Sequence, residues 1–233
     1  MVNNCLNCEG ELVEVLSWRG LFHREPQFLC QECERQLEFI EGERCSGCSR
    51  SMLDLPSNLI KEDVCLDCFR WERDSGWRGI LEYNHSFYHY NDFLKDYLAR
   101  YKYRGDYALA HAFSQTIKTY LAEVEYDLII PIPLSDERLY ERGFNQSTVL
   151  LEEAEVRPST ILTRLHSEKQ SKKTRSERLL QEQVFRLAES DVRGKTILLF
   201  DDIYTTGTTL RQAAKLLREA GADAVSSLTL ARG

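Results

Sequence analysis

Beyond Cys68 this chain of 233 residues contains no cysteine; all eight fall in its first 68 positions. Other absences narrow the field as much. No stretch approaches the roughly 20 consecutive apolar residues that a helix needs to cross a bilayer. The opening MVNNCLNCEGE has neither the basic start nor the apolar run of a secretion signal. Without that signal the cysteines do not read as the disulfide framework of a secreted domain, and the expected location is cytoplasmic. There is no GxxxxGK followed by Ser or Thr, and no GxGxxG, so the usual triphosphate and dinucleotide loops are excluded. No internal repeat occurs beyond the cysteine pairs. A net positive charge is missing too, the formal charge being −7. That deficit is local, however. Residues 1–72 carry seven Lys and Arg against fourteen Asp and Glu, whereas 73–233 carry 23 of each. The second region is neutral and has room for basic patches, and net charge bears on steering rather than on fold.

An apolar fraction of 42%, with ten Phe and eleven Tyr, predicts a folded protein. The chain divides by texture into a Cys-rich module, 1–72, and a larger domain, 73–233. The module holds four CxxC pairs: Cys5 with Cys8, Cys30 with Cys33, Cys45 with Cys48, and Cys65 with Cys68. Zinc takes four ligands in a tetrahedron, and a CxxC turn delivers two thiolates to one ion. Four pairs therefore supply two four-cysteine sites, and a closed shell of thiolates makes the expected zinc structural. An iron–sulfur cluster is the chemical competitor. Spacing leaves the pairing open. Sequential sites are preferred, with an interleaved cross-brace as the alternative. The module's scattered apolar residues are too few for a core that stands alone.

From about residue 78 strands alternate with helices. Weak alternation over 80–90 predicts a strand or two. A helix follows, capped by Asp92, carrying Phe93, Tyr97, Leu98 and Tyr101 on one face and ended by Gly105. Another helix is expected from Asp106 to about 122, a buried strand over 126–133, a helix over 144–155 and a strand over 159–164. The segment 166–183 is polar and aperiodic. Residues 196–200, TILLF, form the continuous apolar run of a central parallel strand. A helix over 208–220 stops at Gly221, and a strand over 224–230 ends the pattern. The alternation predicts an α/β fold with a mostly parallel sheet flanked by helices.

The most informative stretch is ILLFDDIYTTGTT, 197–209. A buried strand delivers Asp201 and Asp202 to its C-terminal edge, where open α/β sheets bind ligands. Then comes a hydroxyl-rich loop of Thr205, Thr206, Gly207, Thr208 and Thr209 ahead of a helix, whose N-terminal N–H groups attract phosphate. The two acids could hold the hydroxyls of a ribose or a magnesium ion. This stretch is similar to the phosphoribosyl pyrophosphate (PRPP) signature of type I phosphoribosyltransferases at all thirteen positions. By that resemblance Asp201 and Asp202 contact the ribose, 205–209 cradle the 5′-phosphate, and Mg2+ accompanies PRPP. A second loop, after the strand at 130–133, carries Arg138, Arg142, Gly143, Asn145 and Gln146, suited to a pyrophosphate.

The run IPL, six residues, then ERGFNQ, together with YKYRGD at 101–106 and the CxxC pairs, resembles the ComF family of competence proteins over nearly the whole chain. The resemblance implies a factor for DNA uptake in natural transformation. It would act on single-stranded DNA at the cytosolic face of the membrane, beside a ComFA-like helicase and a single-strand loader. A third loop, 164–178, has six Lys and Arg against two Glu. It corresponds to the mobile hood of phosphoribosyltransferases, and Lys172, Lys173, Arg175 and Arg178 are candidate DNA contacts. The alternative is a phosphoribosyltransferase acting on an unknown acceptor. Against it, Thr205 stands where purine-salvage relatives carry a proton-transfer acid, and no C-terminal hood follows the last strand.

Overall fold

Short elements come first, as a segment poor in apolar residues requires. The computed structural model describes residues 4–12, 26–53, 55–165, 184–188 and 191–233. In the cysteine-rich segment these form helix α1 (Gln31–Arg35), a ribbon of β1 (Ile60–Lys61) and β2 (Val64–Cys65), and helix α2 (Leu66–Arg73). The expected division at residue 72 falls inside the last turn of α2.

The larger region runs β3 (Asn84–His89), α3 (Asp92–Arg104), α4 (His111–Leu121), β4 (Leu128–Pro131), α5 (Asp136–Arg142) and α6 (Gln146–Glu153). It continues with β5 (Leu162–Arg164), β6 (Phe185–Leu187), β7 (Thr196–Tyr204), α7 (Thr208–Glu219) and β8 (Ala224–Arg232). Four parallel strands make the main sheet in the order β3-β8-β7-β4, and β5 pairs antiparallel with β6 outside it. This is a type I phosphoribosyltransferase-like fold: a parallel sheet flanked by helices.

Strand alternation sorts β7 between two cores. Leu198 and Phe200 join Leu228 and Leu230 under α3, α4 and α6, while Ile197 and Leu199 join Ile130, Ile132 and Val225 under α7. Each core also takes in one end of the cysteine-rich segment. Cys5, Leu29, Cys33 and Leu37 belong to the first, and Cys45, Cys48, Cys65 and Cys68 to the second. The segment that cannot bury its own apolar side chains thus buries them against the sheet's two coverings.

Several boundaries differ from expectation. The cap of α3 is Asn91, whose side-chain oxygen accepts from the Leu94 N–H at 2.9 Å; Asp92 enters the first turn, where its charge suits the helix dipole. Asp106 leads into a 3-10 turn, Tyr107–Ala110, before α4 starts. The segment expected as a loop after β4 contains α5, capped by Ser135 and with no buried residue, so it had no apolar stripe to reveal it. Most consequential, β7 runs on to Tyr204 rather than stopping at Phe200. Pairing with β8 continues as far as Tyr204 with Arg232, and this backbone ladder outweighs the polarity of the two acids.

Candidate functional site

Asp201 and Asp202 lie inside β7, beyond the last β4 pairing at Phe200, where helix α6 approaches. Asn145 caps α6, accepting from Ser147 N–H at 2.9 Å and Thr148 N–H at 3.3 Å, while its amide donates to the Ile132 carbonyl at 2.9 Å. That cap ties α6 to the end of β4 and presents its first two residues to the acids. Ser147 Oγ donates to Asp201 Oδ1 at 3.1 Å, and Gln146 Nε2 donates to Asp202 Oδ1 at 3.4 Å. Behind Gln146, Arg142 Nη1 donates to its Oε1 at 2.9 Å. Gly143, at φ 77°, makes the left-handed turn between α5 and α6 that this approach needs. Arg142, Asn145 and Gln146 therefore gather at the acids with Gly143 as their hinge, and Arg138 stands exposed on α5.

Lys102, on α3, forms a buried ion pair with Asp202. Burial alone would raise the Asp202 carboxyl, but the Lys102 ammonium outweighs it and holds it low. Asp201 is pushed upward, by desolvation first and then by the charge of Asp202. The adjacent acids are thus driven apart, one kept ionised and the other inclined to hold a proton. Arg164, at the end of β5, is depressed by burial and then by Arg138, with Asp201 opposing the shift, so all three share one electrostatic neighbourhood.

After Tyr204 the loop of Thr205, Thr206, Gly207, Thr208 and Thr209 leads into α7. Gly207 has φ 78°, and a Cβ there would lie 2.1 Å from the Tyr204 hydroxyl oxygen, so backbone conformation and space both require glycine. It is also the N-cap of α7 and offers no side chain to accept from the first turn. The Thr208 N–H reaches Thr206 Oγ1 only at 3.5 Å, and the cap residue itself supplies no acceptor to the rest of the first turn. Thr206 Oγ1 and Thr208 Oγ1 lie 2.9 Å apart at this opening.

The cysteines assemble sequentially: Cys5, Cys8, Cys30 and Cys33 form one cluster, and Cys45, Cys48, Cys65 and Cys68 the other. Within each, the four sulfurs all lie within 4.8 Å of one another. Cys8–Cys30 and Cys48–Cys65 are each 3.7 Å apart, close to the ~3.8 Å expected between sulfurs placed tetrahedrally at ~2.3 Å from one ion. Protons are shared unevenly in the second cluster. Cys48 falls to about 6, through its hydrogen bond with Cys45 and with help from Arg232, while hydrogen bonding to Cys45 drives Cys68 upward. Four thiolates so close require a cation to ionise together, and each cluster could hold a metal ion.

Lys102, Ser147 and Arg164 were not singled out from the sequence. Lys102 lay in plain view within YKYRGD but had no local partner to suggest a role. Of the tyrosines in that region, Tyr97 and Tyr101 are core residues, whereas Tyr103 and Tyr107 are exposed. The DNA-contact candidates Lys172, Lys173, Arg175 and Arg178 lie outside the described residues. Among those described, no helix is long and apolar enough to cross a membrane.

Comparison with known proteins bears on the whole chain. A family model for the phosphoribosyl transferase domain matches residues 142–233. The chain is 40% identical to competence protein ComFC of Bacillus subtilis (strain 168), over 98% of this chain and 94% of that protein. It is 34% identical to competence protein ComFC of Streptococcus pneumoniae (strain ATCC BAA-255 / R6), over 98% of this chain and 99% of that one. The DNA utilization protein YhgH of Escherichia coli (strain K12) is 34% identical over 46% of this chain and 49% of its own length.

Proposed function

The chain belongs to the ComFC family of competence proteins, and on that footing we propose that it supports internalisation of single-stranded DNA in natural transformation, using a PRPP-binding pocket. The uptake role rests on the family; the pocket rests on one observation. Two acids inside β7 are followed, within one tight turn, by a helix whose cap residue, Gly207, has no side chain to accept from its first turn. Such a terminus favours an anion, and the 205–209 loop supplies hydroxyl donors for a 5′-phosphate. Asp201 and Asp202 would receive the ribose hydroxyls. Arg142, with Gly143, Asn145 and Gln146, would face the pyrophosphate, and Arg138 could reach it from α5. Mg2+ bound with PRPP would neutralise pyrophosphate charge.

Both cysteine clusters would hold structural zinc, two ions per chain, since four thiolates leave no open position. Single-stranded DNA would run along Lys172, Lys173, Arg175 and Arg178, handed on by a ComFA-like helicase to a single-strand loader on the cytoplasmic side. A phosphoribosyl transfer remains the second reading. The separated protonation of the Asp201–Asp202 pair favours it, because a carboxyl poised to exchange a proton suits acid–base work.

Calorimetric titration with Mg2+–PRPP tests the pocket. Affinity should rise with pH, because a protonated Asp201 cannot accept a ribose hydroxyl's hydrogen bond at its occupied oxygen. Asp201→Asn with Asp202→Asn should weaken binding at least tenfold, and Gly207→Val should abolish it. Wild-type affinity in these variants would place the site elsewhere. Single-stranded DNA affinity, measured in parallel, should survive the Asn pair.

A further inference from the structure

We propose that the second cysteine cluster is the anchor of the 205–209 loop, with Trp71, Arg211, Tyr204 and Arg232 as its positioning residues. The proposal deepens the phosphate-site reading and depends on that reading only for the identity of the ligand.

Cys65 and Cys68 begin α2, and one helical turn further on Trp71 Nε1 donates to the Thr206 carbonyl at 3.1 Å. In a planar trans peptide the C=O and the next N–H point in opposite directions. Holding the Thr206 carbonyl toward α2 therefore turns the Gly207 N–H away from it, toward the open side of the loop. The neighbouring Glu72 accepts from Arg211 Nη1 at 3.4 Å, and the Arg211 guanidinium stands 5.1 Å from the centre of the Trp71 ring. Arg211 lies in the first turn of α7 and is 1% exposed, so this contact fixes the start of the helix.

The cluster reaches the loop from its other end through Arg232, which donates from Nε to Cys48 Sγ at 3.3 Å. The same side chain donates to the Tyr204 carbonyl at 3.2 Å and stacks 5.0 Å from the centre of the Tyr204 ring. Tyr204 in turn fills the space that a Gly207 side chain would need. A buried guanidinium requires negative partners, and the thiolate cluster provides them beside Arg232. The loop is thus gripped before it, at its middle and after it. The first two grips trace directly to the cysteines or to the helix they open, and the third to the residue after Trp71.

Hydrogen–deuterium exchange of residues 206–210 in the full-length protein tests this without any ligand. Trp71→Phe keeps an aromatic ring but removes the donor, and Arg232→Lys keeps the charge but removes Nε. Each should speed exchange across 206–210 about fivefold, the effect of one hydrogen bond. Elemental analysis should show metal content equal to wild type. Arg100→Ala, beside the first cluster, should leave this exchange unchanged. Wild-type exchange in Trp71→Phe would overturn the proposal, and wild-type exchange in Arg232→Lys would remove its Arg232 arm. A PRPP titration of the same samples keeps the two questions apart. Faster exchange in a protein that binds no PRPP supports the anchor and sinks the ligand reading; unchanged exchange alongside PRPP binding does the reverse.

Discussion

The two cysteine clusters share the same pair of CxxC turns but have been built into different places. The first sits toward solvent, with Cys8 exposed and Cys30 half-buried, and braces α3. Arg100 of α3 donates to the Asn7 carbonyl at 2.7 Å and to its side-chain oxygen at 3.0 Å, and Asn7 donates to Cys33 Sγ at 3.3 Å. The second cluster has all four cysteines buried and belongs to the core beneath α7. Its surroundings carry charge and aromatic contacts into the 205–209 loop, whereas the helix braced by the first reaches the acids and α6 through Lys102 and through Tyr101, whose hydroxyl donates to the Gln146 carbonyl at 2.9 Å. Identical ligand turns therefore do different work according to what they are packed against.

The largest expected effect separates the two by stability. Cys65→Ser should lose more than about 4 kcal/mol, because it removes a ligand and opens a buried core together. Cys8→Ser, at an exposed position, should lose less than half of that. Urea denaturation of both variants measures it, and equal losses would break the distinction. Chelation should sharpen it next. With excess chelator, metal should leave in two phases differing at least tenfold in rate, with the fast phase missing in Cys8→Ser and the slow phase missing in Cys65→Ser. A single phase would mean that burial does not govern access. The smallest effect concerns the brace itself. Arg100→Ala should cost about 1 kcal/mol, since its hydrogen bonds are half exposed. It should lower the thermal midpoint slightly while sparing metal content; a loss of metal would make Arg100 part of the cluster's support.

What was legible in the chain was what lies close together along it. Asp201, Asp202 and the threonine loop occupy nine consecutive residues, so their chemistry shows as a motif wherever the chain goes. The helices at α3 and α7 showed through their apolar faces. Helix α5 did not, because it buries nothing, and the end of β7 was misplaced because acids mask a strand that only its neighbour β8 sustains.

The residues alone established four cysteine pairs suited to metal, an α/β alternation, and a strand–acid–loop–helix unit of two acids and four threonines, because each depends on spacing within a turn or a strand. Tertiary structure alone decided that the pairs join in sequence, that the two clusters serve opposite coverings of the sheet, and that Lys102 meets Asp202. It also placed Trp71 on Thr206, 135 residues away, and Arg232 on Cys48, 184 residues away. No local periodicity encodes contacts at such separations. They arise when packing of the cysteine-rich segment against the sheet carries its side chains to α7 and β8: Trp71 meets Thr206 at the rim, while the buried Arg232 guanidinium is left to pair with Cys48 away from water.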